Sequence, residues 1–167
     1  MTRQESIDFY KENGFREIPN NLSGLSTDVL VRNNTVVRIG GDPGYSHFAN
    51  LVVSNNPNLT NVVKIQSHEE PLGKLNNSNS NNEYSITEME LLSAMSHQES
   101  VDYEQWALPA LNEIRQEKKP ANDPFNLVED MIILFKYAKK HNLGFDLVKP
   151  KNVMKRGEVF IILDPFA

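Results

Sequence analysis

The sequence predicts an α+β fold in two parts, a β-rich part over residues 1–92 and a helix-rich part over residues 93–167 that ends in a β-hairpin. Three observations support this prediction. Short β-prone runs on either side of Asn33-Asn34 dominate the first part, a periodic apolar pattern follows Pro124, and the chain closes on "LVKPKNVMKRGEVFIILDPFA". Strands followed by helices and a final hairpin are typical of a bilobal domain with a cleft between its parts.

The composition limits the class of protein. A chain of 167 residues with 39% hydrophobic content is long enough to fill one core. The net charge of -5 argues against a general nucleic-acid surface, and the absence of cysteine excludes disulfides, thiolate metal sites and a cysteine nucleophile. The opening "MTRQESIDFY" has no apolar signal-peptide core, and no apolar run reaches the roughly 18 residues of a membrane span. A cytoplasmic protein is therefore expected.

The first part is predicted to contain one N-terminal helix, a hairpin and further strands. Residues 3–12 are helical in pattern and precede Asn13-Gly14, a C-terminal stop. The runs "VLVRNN" and "TVVRI" meet at Asn33-Asn34, a pair that tolerates the positive φ of a tight turn. "HFANLVVSNN" predicts a short helix, while "NVVKIQS" and the run from Tyr84 predict strands. The Asn/Ser tract at 76–82 predicts a flexible loop.

The second part is predicted to contain two helices. Pro109 is predicted to occupy the first turn of one helix, which ends before Pro120. Asp123 as N-cap and Pro124 as first residue predict the start of the other helix. The apolar face of this second helix comprises Val128, Met131, Ile132, Phe135 and Ala138. A strand over 153–155, a turn at Arg156-Gly157 and a strand over 159–163 follow.

Three oxygen-bearing side chains lie around the predicted terminal hairpin, namely Asp146, Asn152 and Asp164. A small set of oxygen ligands suits Mg²⁺, which shares phosphate oxygens with its substrate. In phosphoryl transfer one carboxylate takes the proton of the attacking hydroxyl, while an amide and a second carboxylate hold the metal. The alternative is that Asp146 and Asn152 cap a loop and that Asp164-Pro165 is a simple turn.

The order of these residues resembles the catalytic loop and metal-binding segment of protein kinases. Five residues separate Asp146 from Asn152, and eleven separate Asn152 from Asp164. The order is similar to H-R-D-L-K-P-E-N, a hairpin and D-F-G, but with one residue more between the aspartate and the asparagine than kinases have. The segment looks most similar to small kinase-like proteins of tailed bacteriophages and to minimal kinase effectors of bacteria. The resemblance implies that Asp146 is the base, that Lys149 and Lys151 lie near the phosphates of ATP, and that Asn152 and Asp164 hold Mg²⁺.

Weaker motifs extend the resemblance toward the N-terminus. In "NLSGLSTDVLVRNNTVVRIGGDPGY", Gly24 and Thr27 fall on glycines of the Gly-rich loop, and Arg38 takes the position of the phosphate-binding lysine. "YSITEMELL" resembles the strand before the hinge, whose backbone around Glu88 to Glu90 would bracket an adenine. The resemblance thus implies catalytic roles for Asp146, Arg38 and Lys149, and cofactor binding by Gly24, Ser26, Thr27, Arg38, Glu88, Glu90 and Lys151.

The chain also departs from the kinase pattern. Arginine is not equivalent to lysine at position 38, because a guanidinium is a planar fork and an ammonium is a compact point charge. Residues 46–55 contain no glutamate to pair with this cation, so Asp42 or Glu70 would have to substitute. Phe145 stands where the arginine of H-R-D would be. The chain closes three residues after Asp164, which implies a truncated helical lobe with little platform for a protein substrate.

These departures leave two functions open. The favoured one is a pseudokinase, a binding or inhibitory module that acts on a host protein and retains ATP and Mg²⁺ binding in the cleft between its lobes. The other is an active minimal phosphotransferase that modifies Ser or Thr hydroxyls. Neither function involves nucleic acid or a membrane. A third possibility is a fold unrelated to kinases, in which the terminal hairpin is ordinary core.

Overall fold

The computed structural model describes residues 2–19, 27–72 and 84–167, and these residues form four α-helices and seven β-strands. The chain divides into two units. Unit 1 comprises Met1–Val53 and Lys64–Leu91, and unit 2 comprises Ser54–Val63 and Leu92–Ala167. The predicted α+β class is confirmed. None of the helices in the described ranges has the length and apolar composition of a transmembrane span.

Unit 1 contains two helices and a five-stranded antiparallel sheet. Its elements, in chain order, are α1 (Arg3–Glu12), β1 (Arg16–Glu17), β2 (Thr27–Arg32), β3 (Thr35–Gly40), α2 (Pro43–Ser54), β4 (Ile65–Leu72) and β5 (Tyr84–Glu90). The strands lie in the order β1-β2-β3-β5-β4, and each neighbouring pair is antiparallel. The last strand in sequence, β5, is therefore an interior strand.

The two faces of this sheet meet different helices, because successive side chains of a strand point to opposite faces. One face forms a core with Ile7 of α1 and with Phe15, and its buried strand residues are Leu30, Val37, Ile39, Tyr84 and Ile86. On the other face, Arg38 and Met89 contact Tyr45 of α2. The sheet is thus covered by α1 on one face and by α2 on the other.

The predicted N-terminal helix and hairpin are both confirmed. Helix α1 begins with a capping box in which Thr2 and Glu5 exchange side-chain and backbone hydrogen bonds. It ends at Asn13, and Gly14 follows with φ +89°. Strands β2 and β3 are joined by a two-residue turn in which Asn33 has φ +52°. The local turn residues therefore predict both chain reversals correctly.

Unit 2 is built on two helices and the terminal hairpin. Its elements are α3 (His97–Arg115), α4 (Val128–Lys140), a 3-10 turn (Pro150–Asn152), β6 (Val153–Arg156) and β7 (Val159–Ile162). Strands β6 and β7 are antiparallel, and Gly157 adopts φ +61° in the turn between them. The predicted terminal hairpin is confirmed.

Helix α3 corrects the predicted role of Pro109. The helix begins at the N-cap Ser96, whose capping box with Glu99 satisfies the first orphan amides, and Pro109 lies inside the helix. Proline is common in the first turn of a helix and rare inside one, so the sequence favoured the first turn. Pro109 and Gln105 are exposed, so the carbonyl that lacks the N–H of residue 109 lies on the exposed side of the helix.

Helix α4 corrects the predicted N-cap. Asp123 and Pro124 belong to a turn, and the helix begins at Val128, with Leu127 in the capping position. The Asp123 carboxylate still accepts hydrogen bonds from the Leu127 and Val128 N–H groups at 2.8 and 3.3 Å. Asp123 therefore caps the helix as predicted for its residue type. A turn that contains Asn126, at φ +57°, separates Asp123 from the first helical residue.

Residues 54–63 belong to unit 2, whereas the sequence assigns them to the first part. The Val63 N–H donates to the Ile162 carbonyl at 3.0 Å, and the Ile162 N–H donates to the Asn61 carbonyl at 2.9 Å. The buried carboxylate of Asp130 accepts from the N–H groups of Thr60 and Asn61 at 2.9 and 2.6 Å. Because residues 61–63 pair with β7 and α4, the predicted strand over 61–67 begins only at Ile65.

Candidate functional site

The segment that carries Asp146 lies beside the segment that follows Asp164. The N–H of Gly144 donates to the carbonyl of Ala167 at 3.2 Å, and the Ala167 N–H donates back at 3.0 Å. Two residues on, the Asp146 N–H donates to the Pro165 carbonyl at 2.8 Å. These bonds order the last residues of unit 2 and fix the backbone of Asp146.

Asn152 joins these two segments from the 3-10 turn. Its side-chain Nδ2 donates to the Asp146 carbonyl at 2.6 Å, and its own carbonyl accepts from the Leu163 N–H at 2.9 Å. Asn152 is buried, so both bonds are shielded from water. With Nδ2 engaged by Asp146, Oδ1 is the atom that this amide offers to a cation. Asn152 therefore bonds to Asp146 through its side chain and to Leu163, the neighbour of Asp164, through its carbonyl.

The charges around this cluster are mixed. The Asp146 Oδ2 atom lies 3.2 Å from Nζ of Lys149, and the lysine side chain is exposed, so this ion pair contributes little stability. Lys151 is also exposed, in the 3-10 turn. Asp164 is half-buried, with its Oδ1 atom shielded from solvent. This region therefore combines two carboxylates with two exposed cations.

Tyr103 is a residue of this region that the sequence did not indicate. Its phenol, fully buried on α3, donates to the carbonyl of Leu147, next to Asp146. Burial raises the pKa of Tyr103 well above its usual value, and the charge of Asp146 raises it further. Its ring packs edge-on against Phe125. The sequence could have indicated that Tyr103 is buried, because it lies at helical spacing with other residues of the buried face of α3, namely Ala107, Ala110, Leu111 and Ile114.

A divalent cation would find few protein ligands in this region. Across residues 2–19, 27–72 and 84–167, no three His, Asp or Glu side chains are grouped to hold a metal ion. Asn152 and Asp164 supply one amide and one carboxylate. A Mg²⁺ ion typically binds one or two protein oxygens and completes its shell with phosphate oxygens and water, so this pair suits Mg²⁺ only together with a phosphate ligand.

In unit 1, Arg38 lies on β3 and is held by the helix that follows. Its guanidinium carbon stands 3.6 Å from the centroid of the Tyr45 ring, and Nη2 is 3.8 Å from Oδ2 of Asp42. The other oxygen of Asp42 accepts from the Gly44 N–H at 2.9 Å and caps α2. Of the two carboxylates that the sequence offered as partners, Asp42 is the one beside Arg38.

Glu70, the other candidate partner, fastens β4 to α2. Its Oε1 atom accepts from Nδ2 of Asn50 at 2.6 Å, and its Oε2 atom lies 3.5 Å from Nε2 of His68. Burial alone would raise the pKa of Glu70, but hydrogen bonds from Ser46, Asn50 and His68 outweigh it and lower that pKa. Ser46, Asn50 and His68, and not Arg38 on β3, therefore favour the charged form of Glu70.

The predicted adenine-binding residues are engaged within the sheet. The Glu88 carboxylate accepts from the Tyr10 hydroxyl at 3.0 Å, on the α1 face. The Glu90 N–H donates to the Lys64 carbonyl at 3.0 Å, so it can bracket an adenine only if that bond breaks. Thr27 is buried at the start of β2. Gly24, Ser26 and the loop at 76–82 lie outside the described residues.

Comparison with known proteins adds no family. No protein-family model matches the chain, and no curated protein matches it.

Proposed function

We propose that this chain is a kinase-like protein that binds the magnesium and phosphate groups of a nucleotide through unit 2 and acts as a pseudokinase on a host protein. The observation that carries the proposal is the hydrogen bond from Asn152 Nδ2 to the Asp146 carbonyl, together with the bond from Leu163 to Asn152. These bonds join the counterparts of the kinase catalytic loop and metal-binding segment, which in kinases act on the same phosphates.

The roles within unit 2 follow from the donor atoms. Asn152 Oδ1 and the Asp164 carboxylate would hold Mg²⁺, which would bridge and neutralise phosphate oxygens. Lys149 and Lys151 extend into solvent and would attract the same phosphates as point charges. Asp146 is the carboxylate nearest to Lys149, so phosphate binding would compete with their ion pair.

Unit 1 supports the kinase-like assignment through the order of its elements. In kinases the phosphate-binding lysine lies on the third strand and its glutamate partner on the next helix. Here Arg38 lies on β3 and α2 follows directly. The sequence of α2, "PGYSHFANLVVS", contains no glutamate. This combination favours binding over transfer, because the lysine–glutamate ion pair that active kinases require is replaced on both sides.

Calorimetric titration with Mg-ATP tests nucleotide binding. The wild type is expected to bind, and Asn152→Ala and Asp164→Asn are expected to weaken binding at least tenfold, since each removes one metal ligand. Glu158→Gln is the matched control, because Glu158 is fully exposed in the hairpin turn. Chelation of Mg²⁺ should have the same effect as the ligand variants. Absence of heat at millimolar Mg-ATP for the wild type would remove the proposal.

An active phosphotransferase is the second candidate, and the fixed position of Asp146 favours it. The bonds to Pro165 and Asn152 hold the Asp146 backbone as a general base requires. Transfer of labelled γ-phosphate to a Ser or Thr peptide should then depend on Asp146. Loss of labelling in both Asp146→Asn and Asp164→Asn would favour the enzyme, and equal labelling in all three proteins would reveal a contaminating kinase.

The pseudokinase proposal also predicts that a partner protein binds whether or not the chain transfers phosphate. A host protein should copurify with the wild type and equally with Asp146→Asn. If no bacterial protein is retained at low salt and transfer of labelled phosphate requires Asp146, the pseudokinase proposal is rejected in favour of the active phosphotransferase.

A further inference from the structure

Six exposed cations lie around the C-terminal ends of α3 and α4, and we call this set the basic patch. Three belong to the end of α3 and the turn after it, and three to the last two turns of α4, namely Arg115, Lys118, Lys119, Lys136, Lys139 and Lys140. A carboxylate joins the two groups, because Oε1 of Glu117 lies 4.0 Å from Nζ of Lys139. Both helices belong to unit 2, so the basic patch lies within one unit.

The helix dipoles account for only part of this patch. Cations in the last turn of a helix are stabilised by the partial negative charge there, which suits Arg115, Lys139 and Lys140. The three other lysines lie beyond the end of α3 or one turn before the end of α4. Residues 112–119 and 133–140 together carry six cations and two carboxylates, a local net charge of +4 in a chain whose net charge is -5.

Glu117 lies in this patch with a backbone conformation that glutamate rarely adopts. Its φ is +61°, the left-handed position that often follows a helix and that glycine fills without strain. The Glu117 N–H donates to the Ile114 carbonyl at 3.0 Å, which fixes the turn. The Glu117 side chain is 83% exposed, so packing does not account for a glutamate here. Its carboxylate instead occupies the patch beside Lys139.

We propose that the basic patch binds an acidic segment of a host protein, and that Glu117 occupies the patch until this segment binds. The inference deepens the proposed function and rests on it for the existence of a host partner. It does not depend on the nucleotide. Binding would replace one exposed contact within the chain by several contacts between opposite charges, which favours association with an acidic surface.

Two observations favour an acidic protein segment over a nucleic acid. A nucleic acid carries charge along its whole length, so it would extend from the patch onto the rest of a chain that is net acidic. In addition, Leu108 is 51% exposed and lies two helical turns before Arg115, on the same side of α3. An apolar side chain beside cations suits a segment that carries both acidic and apolar residues.

The test is a binding titration with a defined probe, a short synthetic peptide rich in aspartate that carries one leucine. The wild type is expected to bind this peptide at low salt, and the affinity should fall as NaCl screens the charges. Lys136→Gln combined with Lys140→Gln should weaken binding about tenfold, since two cations are removed. Lys64→Gln, at an exposed lysine of unit 1, is the matched control and should leave the affinity unchanged.

Two further variants test the roles of Glu117 and Leu108. Glu117→Gly should strengthen peptide binding about threefold, because it removes the competing carboxylate. It should not lower the melting temperature, because glycine adopts this backbone conformation without strain. Leu108→Ala should weaken peptide binding about threefold and leave the binding of single-stranded RNA unchanged.

The outcomes separate the parts of the proposal. Tighter binding of an RNA of equal charge than of the peptide would overturn the choice of a protein partner. Absence of peptide binding at low salt, or equal affinity in the wild type and the double lysine variant, would overturn the patch. Equal affinity in Glu117→Gly and the wild type would overturn the role of Glu117.

Titration of the same proteins with Mg-ATP distinguishes this inference from the proposed function. Normal Mg-ATP binding without peptide binding rejects the basic patch and leaves the nucleotide site intact. Peptide binding that depends on the patch lysines, without Mg-ATP binding by the wild type, rejects the nucleotide site and leaves the patch as a surface for acidic segments.

Discussion

The Tyr103 hydroxyl links α3 to the residue after Asp146, and its removal tests that link. Tyr103→Phe keeps the ring but leaves the Leu147 carbonyl without its buried donor. We expect a loss of about 1–3 kcal/mol in the free energy of unfolding, measured by urea denaturation. The exposed neighbour Glu104 provides the control, since Glu104→Gln should change stability by less than about 0.5 kcal/mol. An unchanged midpoint for Tyr103→Phe would show that the link is not structural.

The raised pKa of Tyr10 predicts that unit 1 loses stability at alkaline pH. Burial, the hydrogen bond to Glu88 and the charges of Glu88 and Glu69 raise the pKa of Tyr10 from 10.0 to about 12. The folded state therefore holds the phenolic proton more tightly than the unfolded state does. Its contribution to stability is complete below pH 10 and is lost as pH rises from 10 to about 12. Spectroscopic titration of the wild type and of Tyr10→Phe identifies the phenol that titrates. Denaturation at pH 9 and 11 should show that the variant loses less free energy of unfolding between these two pH values than the wild type does.

Helix α3 is expected to become more stable when its internal proline is replaced. Pro109 cannot donate to the carbonyl one turn earlier, and its ring crowds that carbonyl. Because Pro109 is exposed, Pro109→Ala should restore the bond without a cavity and raise the free energy of unfolding by about 1–3 kcal/mol. Leu108→Ala, also exposed, is the matched control and should stay within about 0.5 kcal/mol. A destabilised Pro109→Ala would mean that the proline makes contacts the helix needs.

The pairing between Gly144 and Ala167 depends on the absence of a side chain at position 144. A Cβ there would lie 3.1 Å from the Ala167 carbonyl oxygen and 3.2 Å from its Cβ. Gly144→Ala should therefore force the two segments apart, destabilise unit 2 by about 1–3 kcal/mol and speed hydrogen exchange at the amides of Asp146 and Ala167.

Gly157→Ala is the comparison for that change. A Cβ at Gly157 meets nothing within 4 Å, so its cost comes only from the backbone at φ +61°. It should lower stability by about 1 kcal/mol and leave exchange at Asp146 and Ala167 unaltered. Equal exchange rates in both variants would contradict the steric argument.

Asp130 organises unit 2 across 70 residues of chain. Its carboxylate, buried on α4, receives the N–H groups of Thr60 and Asn61, so Asp130→Ala leaves both donors unpaired. We expect a loss on the order of 3 kcal/mol, with faster hydrogen exchange at Thr60 and Asn61. Glu129→Ala, at the exposed neighbouring position, should have little effect. Protected amides at Thr60 and Asn61 in Asp130→Ala would show that other contacts hold this segment.

Local signals predicted much of the fold, because turns and caps depend on residues close in sequence. Asn33-Asn34 and Gly157 marked both hairpins correctly. Ser96 followed by Glu99 also marks the start of α3 locally, a capping signal that the prediction from Pro109 did not use. The pairing of residues 61–63 with β7 was not readable, since nothing local distinguishes a strand from an extended segment that bonds to a distant partner.

The candidate site shows the same division. Spacing singled out Asp146, Asn152 and Asp164. The bond from Asn152 Nδ2 to the Asp146 carbonyl, and the backbone bonds beside it, depend instead on how the chain folds. The partner of Arg38 depends on the face of the sheet to which its side chain points, which is the face covered by α2. Asp42 was within reach of a sequence argument, whereas the contact with the Tyr45 ring needed coordinates.

The bonds between residues 61–63 and Ile162 have a consequence for synthesis on the ribosome. About a hundred residues separate these partners, so at 5–20 residues per second residues 61–63 emerge roughly 5–20 s before Ile162. During that interval the Asn61 and Val63 backbone groups are open to chaperones or to misplaced pairing. Slowing translation between the codons for residues 63 and 162 should therefore lower the yield of native protein more than slowing it before the codon for residue 61.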